Sequence, residues 1–251
     1  MPDLPVTAGL VLAAGAGRRY GRPKALVELD GEPLARRGVR LLSDGGCTPV
    51  HVVIGAGADE MPDLPGAVPV RHDRWSEGLG SSLRRGLASL PADVSAAVVV
   101  LVDQPLLSPV AVRRVREAYA GGAIIAVATY AGRPGHPVLL TRETWPLLDG
   151  YAVGDRGARD LLRDRPDLVV QVPCDDVGSP VDVDTPADLP RTVSAADAAP
   201  RWTFRPRDDE GRPGVANAAP RTAGLTAPVQ ATGVAVSVAP ARRWWARIRS
   251  A

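Results

Sequence analysis

A single lysine, Lys24, stands among the 30 basic residues of this chain, and every other one is an arginine. It closes the stretch LAAGAGRRYGRPK, residues 12–24, which combines two kinds of group that handle phosphate. Gly15 and Gly17 let backbone N–H groups approach an anion closely, and Arg19 and Lys24 add two positive charges beside them. A triphosphate carries enough negative charge to need both. Further on, LVDQP places Asp103 directly after an apolar run, where a carboxylate can meet magnesium and phosphate oxygens.

Other glycine motifs fit less well. A P-loop requires G-x-x-x-x-G-K-[ST], whereas Lys24 follows Pro23 and precedes Ala25. Gly15, Gly17 and Gly21 are only loosely spaced like a dinucleotide-binding turn, and VHVVIG ends in Gly55 where that motif carries a ribose-binding acid. A dinucleotide-binding oxidoreductase is thus a rival reading, and a catalytically silent cofactor-delivery module is a third. The three histidines show no metal-ligand spacing.

To position these groups, the chain must bring residues 12–24 and 103 to one edge of a sheet. From Ala8 to about Thr192, apolar runs alternate with helix-like stretches, the pattern of βαβ units and a mostly parallel sheet. Strands are expected at residues 9–14, 50–55, 68–73, 96–102, 123–130, 136–140 and 168–173, and helices at 33–43, 81–90, 109–119, 142–148 and 158–163. The uninterrupted AAVVVLV suits a central strand covered on both faces. If residues 9–14 also lie centrally, Gly15 and Gly17 fall at a strand's carboxyl end, where open α/β sheets bind ligands.

Composition agrees. Of 251 residues 45% are hydrophobic but only 4% aromatic, with one phenylalanine, Phe204, so the core must be built from Val, Leu, Ile and Ala in layers. The formal charge of +2 is uneven: from Ser194 onward nine arginines face four acidic residues, which leaves the preceding part net negative. That body is no basic nucleic-acid binder. Residues 193–251, rich in Ala, Pro, Gly, Arg and Thr and without periodicity, read as a disordered basic tail after a domain at 1–192. Cys47 and Cys174 read as buried thiols, the start lacks a signal-peptide pattern, and no run is long enough to span a bilayer. A cytoplasmic protein is expected.

LAAGAGRRYGRPKALVELDGEPL resembles the signature that opens the nucleotidyltransferases of the MobA-like class. The resemblance continues, in order, through GLGSSLRRGL, LVDQPLL, GRPGHPVLL, GDRGARDLL and DVDTPADL, and within the class it points to the molybdenum cofactor cytidylyltransferases. It implies a three-layer, Rossmann-like α/β fold with a mostly parallel central sheet. It also implies that Leu12, Ala13, Ala14, Gly15 and Gly17 wrap the phosphates of a nucleotide. Arg19 and Lys24 would neutralise the phosphates that leave as pyrophosphate, with Asp103 as the third catalytic group. Mg²⁺ would be held by Asp103 and Asp184, with Asp182 as the alternative second ligand. Gly80, Ser81 and Ser82 would receive the base or ribose, and His136, Gly154, Asp155 and Gly157 the acceptor. The implied activity is transfer of CMP from CTP to the phosphate of molybdopterin cofactor. The choice of CTP follows from Ala14, since guanylyl-transferring members usually read LAGG where this chain has LAAG. Another NTP or a sugar-phosphate acceptor is the alternative within the class. A molybdoenzyme or its chaperone is the implied protein partner.

Overall fold

The computed structural model describes residues 6–152 and 154–189; the tail expected at 193–251 lies outside the described residues. Strand β1 (Thr7–Ala13) is buried along its whole length. Its side chains alternate between two cores, Leu10 and Leu12 in one and Val11 in the other, as a pleated strand covered on both faces requires. A short ribbon of β2 (Glu28–Leu29) and β3 (Glu32–Pro33) follows. Its turn, Asp30–Gly31, has positive φ at both residues (56° and 74°), the geometry that Asp-Gly favours in a two-residue hairpin. The sequence reading missed this ribbon.

The remaining elements are α1 (Leu34–Asp44), β4 (Val50–Ile54), β5 (Ala67–Arg71), α2 (Leu79–Ala88), β6 (Ala96–Leu101), α3 (Pro109–Ala120), β7 (Ile125–Tyr130), β8 (Arg133–Thr141), α4 (Leu148–Tyr151), α5 (Arg159–Asp164) and β9 (Val169–Pro173). Seven strands form one sheet in the order β5-β4-β1-β6-β8-β7-β9. β8 alone runs antiparallel to its two neighbours, and all other pairs in this sheet are parallel. The expected mostly parallel sheet is therefore present. α1 and α3 cover one face through Ala35, Val39, Leu42, Val112 and Val115. α2, α4 and α5 cover the other through Leu83, Leu87, Leu148 and Leu161. Each such Val or Leu side chain contributes roughly 1.5–3 kcal/mol by leaving water.

Three local expectations need correction. The strand expected at 136–140 begins at Arg133, because Ala131 and Gly132, both at positive φ (49° and 72°), reverse the chain directly after β7. The helix expected at 142–148 is a 3-10 segment, Arg142–Leu147, before the single turn of α4; Pro146 inside it has no N–H to continue an α-helical ladder. The helix expected at 81–90 starts at Leu79, which moves Ser81 and Ser82 from the cap into the first turn.

β1 has β4 on one side and β6 on the other. The chain leaves β1 through α1 to β4 and β5, then crosses back to β6. The connections that leave the paired carboxyl ends of β1 and β6 thus run to opposite sides, which makes a topological switch point, where open α/β sheets have their crevice.

Candidate active site

A cleft of about 520 Å³ opens at that switch point. The loop after β1 forms one wall with Ala14, Gly15, Ala16 and Gly17. It folds back sharply: Gly17 sits at φ 60°, and a Cβ there would lie 2.0 Å from the Arg22 carbonyl oxygen. Gly21 N–H donates to the Gly17 carbonyl at 2.9 Å. Gly15 has nothing within 4 Å of a would-be Cβ, so its backbone is open to a ligand. A 3-10 turn, Lys24–Leu26, buries Ala25 and Leu26 and leaves Lys24 to reach across the cleft.

Three remote parts of the chain meet at Lys24. Its ammonium donates to Asp103 Oδ2 at 2.9 Å and to Asp184 Oδ1 at 2.7 Å. Arg19 Nη1 donates to Asp184 Oδ2 at 2.7 Å. The Lys24 side chain is only 13% exposed, against 78% for Arg19. Burial pulls the Lys24 ammonium down, but its hydrogen bonds to Asp184 and Asp103 outweigh that and hold it above the usual lysine value. The bond from Lys24 is also the main cause that holds the Asp184 carboxyl below the usual carboxylate range.

Asp103 stands where β6 ends. Val102 N–H donates to the Leu12 carbonyl at 3.2 Å, which ties the ends of β1 and β6 together. Asp184 comes from the irregular segment after β9. Thr185 and Asp188 cap the short turn that follows, with Asp188 Oδ2 accepting from Thr185 N at 2.7 Å, so Asp184 is not used as a cap. Asp182 faces elsewhere and accepts from Gln104 Nε2 at 2.9 Å. Its carboxyl is pushed up, first by the loss of water around it and then by the charge of Asp103.

The opposite wall is the start of α2. Gly78 caps it at φ 101°, and a Cβ there would meet the Gly154 carbonyl carbon at 2.5 Å. The segment carrying Gly154, Asp155 and Gly157 therefore lies against this helix end, with Asp155 on the cleft and a Cβ on Gly157 only 3.1 Å from Leu79. Ser82 borders the cleft, whereas Ser81 turns into the interior, where its hydroxyl donates to the Gly78 carbonyl at 2.8 Å and lies 2.9 Å from His72 Nε2.

Of the residues expected from sequence, Leu12, Ala14, Gly15, Gly17, Arg19, Lys24, Ser82, Asp103, Asp155 and Asp184 border one cleft. Ala13 packs into the core on the α1 and α3 side; Gly80, Ser81, His136, Gly154 and Gly157 are not on its lining. Burial pushes the His136 imidazole down to about 4, so the ring is neutral at pH 7. Sequence reading missed Arg18, Trp75 and Ser76, which also border the cleft. The available signal for Trp75 was an aromatic residue just before a glycine-rich helix start, opposite Gly55: a Cβ on Gly55 would lie 2.6 Å from Trp75 Cγ.

Two carboxylate oxygens on one cationic nitrogen show that Asp103 and Asp184 can share a cation. Among the described residues no cluster of three or more His, Cys, Asp or Glu forms a metal site by itself. The pair fits an ion that arrives with phosphate oxygens, as Mg²⁺ commonly does.

This mostly parallel fold, with a lysine, an arginine and two carboxylates beside a glycine loop at its switch point, agrees with the nucleotidyltransferase class to which its family and relatives point. The chain belongs to the MobA-like NTP transferase domain family, whose match spans residues 9–172. It is 38% identical over 195 residues to nicotine blue oxidoreductase of Paenarthrobacter nicotinovorans, covering 73% of this chain and 94% of that protein. It is 34% identical over 193 residues to molybdenum cofactor guanylyltransferase of Rhodobacter capsulatus, covering 73% and 93%. Among solved structures, Rv0371c of Mycobacterium tuberculosis H37Rv superposes with a TM-score of 0.64 at 27% identity, covering 73% of this chain and 95% of that one. A second structure of Rv0371c is a complex with manganese (TM-score 0.58, 26% identity, covering 70% and 93%). Nucleotidyltransferases of this kind use divalent metals. No helix among the described residues is long and apolar enough to cross a membrane.

Proposed function

We propose that this cleft binds a nucleoside triphosphate with Mg²⁺ and transfers its nucleotidyl group to the terminal phosphate of molybdopterin cofactor, releasing pyrophosphate. The observation that carries this reading is the meeting of Lys24, Asp103 and Asp184 beside an open glycine loop. Backbone N–H groups of the loop at Gly15 and Gly17 cradle the phosphates. Lys24 and Arg19 trade their carboxylate partners for phosphate oxygens and stabilise the departing pyrophosphate. Asp103 and Asp184, released from Lys24, hold the metal, which supplies Lewis-acid neutralisation of phosphate charge when bound.

An oxygen of the acceptor phosphate forms a bond to the α-phosphorus. The bond from that phosphorus to the oxygen bridging to the β-phosphate breaks, and its electron pair leaves with pyrophosphate. The attacking oxygen is already anionic, so no general base is required, and positioning carries the step. Ser82 and Trp75 are suited to the ribose and base, and Asp155 to the acceptor side.

The molybdopterin acceptor is supported by the name of the guanylyltransferase relative. For the base we propose cytosine, from Ala14, which borders the cleft and is 4% exposed. Incubation with each NTP and molybdopterin cofactor, followed by pyrophosphate release, tests both. Release with CTP is expected; release with GTP alone overturns the cytidylyl choice and leaves the reaction type standing.

The 38% identity to nicotine blue oxidoreductase favours a second reading, in which the cleft binds a nicotinamide dinucleotide and reduces a small molecule. It leaves the Lys24–Asp103–Asp184 cluster without a purpose, and Gly55 offers no acid for a ribose. Quenching of NAD(P)H fluorescence, with no pyrophosphate release from any NTP, would select it.

A further inference from the structure

Resting on the nucleotidyl-transfer reading, we infer that Gln104 is a positioning residue, which holds the segment carrying Asp184 against the loop carrying Asp103. Asp184 lies in irregular chain after β9 with no sheet partner, yet it reaches Lys24 from 160 residues away. Something must fix that approach to within a hydrogen bond's length.

The residues after Asp103 supply it. Gln104 Nε2 donates to the Pro180 carbonyl at 3.1 Å and to Asp182 Oδ1 at 2.9 Å. Val183 N–H donates to the Asp103 carbonyl at 2.8 Å, and Ser179 N–H to the Leu106 carbonyl at 3.1 Å. Residues 103–106 thus zip onto 179–183, and Asp184 is the next residue. Gln104 is 7% exposed, so water does not compete for its amide hydrogens. Its Oε1 has no partner among the described residues; the amide acts through its nitrogen alone. Both acceptors of that nitrogen lie within four residues of Asp184. Leucine at position 104 keeps the bulk and removes the donor, leaving the Pro180 carbonyl and Asp182 to find other partners.

Two measurements on Gln104→Leu test this. Amide hydrogen exchange of the nucleotide-free protein should show Val183 exchanging at least about tenfold faster, since both hydrogen bonds of Gln104 are lost and the one to a carboxylate alone is worth about that factor, while β6 amides keep their protection. In assays of pyrophosphate release, the Mg²⁺ concentration for half-maximal rate should rise about tenfold, with KM for the NTP at saturating Mg²⁺ changed less than about twofold. The same substitution in an Asp184→Ala background should add almost nothing, because the two act through one carboxylate. Unchanged Val183 exchange, or a full additive effect in that background, overturns the inference. If Gln104→Leu does not fold, Asp182→Ala removes an acceptor from the exposed side and should show the same faster exchange; unchanged exchange there overturns it equally. A wild-type protein that releases no pyrophosphate from any NTP defeats the reaction proposed above, and Val183 exchange still decides whether Gln104 positions the segment.

Discussion

Lys24 holds a place that arginine would fill badly. A compact ammonium with three donors can sit between two carboxylates, while a planar guanidinium presents a wider fork. Lys24→Ala should lower turnover by roughly 10²–10³-fold, the cost of removing one group aimed at developing charge, and Lys24→Arg should also be impaired; steady-state pyrophosphate release measures both. The Lys24 side chain is mostly buried, and removing its ammonium takes away the shared partner of Asp103 and Asp184, so Lys24→Ala should lower stability as well as turnover. The pH dependence follows in sign. Asp184 is held below the usual carboxylate value, so its contribution is present above about pH 4, the unfolded value, and is lost as pH falls through the lower folded value. Lys24 is held above the usual lysine value, so its contribution is present below about pH 10 and is lost as pH rises through the higher folded value. Urea midpoints of wild type and Lys24→Ala should therefore differ most between these limits and converge in strong acid. Elsewhere, burial pushes the Cys47 thiol up to about 12 and Cys174 also upward. Neither thiol should react with a disulfide reagent at pH 7 until the protein is denatured, which absorbance of the released thiolate would follow.

Elements place these residues through a few backbone devices. The loop after β1 turns at Gly17, where positive φ and the Arg22 carbonyl together exclude a side chain. Gly17→Ala should destabilise the fold by about 1–3 kcal/mol and weaken nucleotide binding with it. Gly15 is open on its Cβ side, so Gly15→Ala should leave thermal unfolding within about 0.5 kcal/mol while reducing nucleotide affinity. Thermal melts paired with nucleotide titration separate the two glycines, and equal losses of stability would contradict the distinction. The start of α2 depends similarly on Gly78 packing against Gly154, which brings the 154–157 segment to the cleft.

At the scale of the molecule, the seven-stranded sheet brings the ends of β1 and β6 together at its switch point, and helices pack against both of its faces. Among the described residues, those on the cleft all lie from Leu12 to Asp184. We propose that residues 1–192 form the catalytic domain: a chain ending at Thr192 should keep wild-type turnover and a single cooperative melt. Loss of folding in that shortened chain would show that later residues belong to the domain.

The sequence alone was enough for the layered α/β class, for nearly every strand, and for the loop and carboxylates that later met in the cleft. These are local properties: period-two apolar runs, glycines at turns and an acid after a strand. It did not reveal that β8 runs antiparallel, because an apolar run reads the same in either direction and only its pairing with β6 and β7 sets the sense. Nor did it show that Ser81 points inward to His72, a matter of where α2 begins and how it rotates on the sheet. The sequence favoured Asp184 over Asp182 as the second metal ligand but did not show which of the two meets Lys24, since in an extended strand two acids two residues apart would share one face. Only the tertiary structure shows that contact: the segment is not a regular strand, and Asp182 accepts from Gln104 while Asp184 accepts from the ammonium.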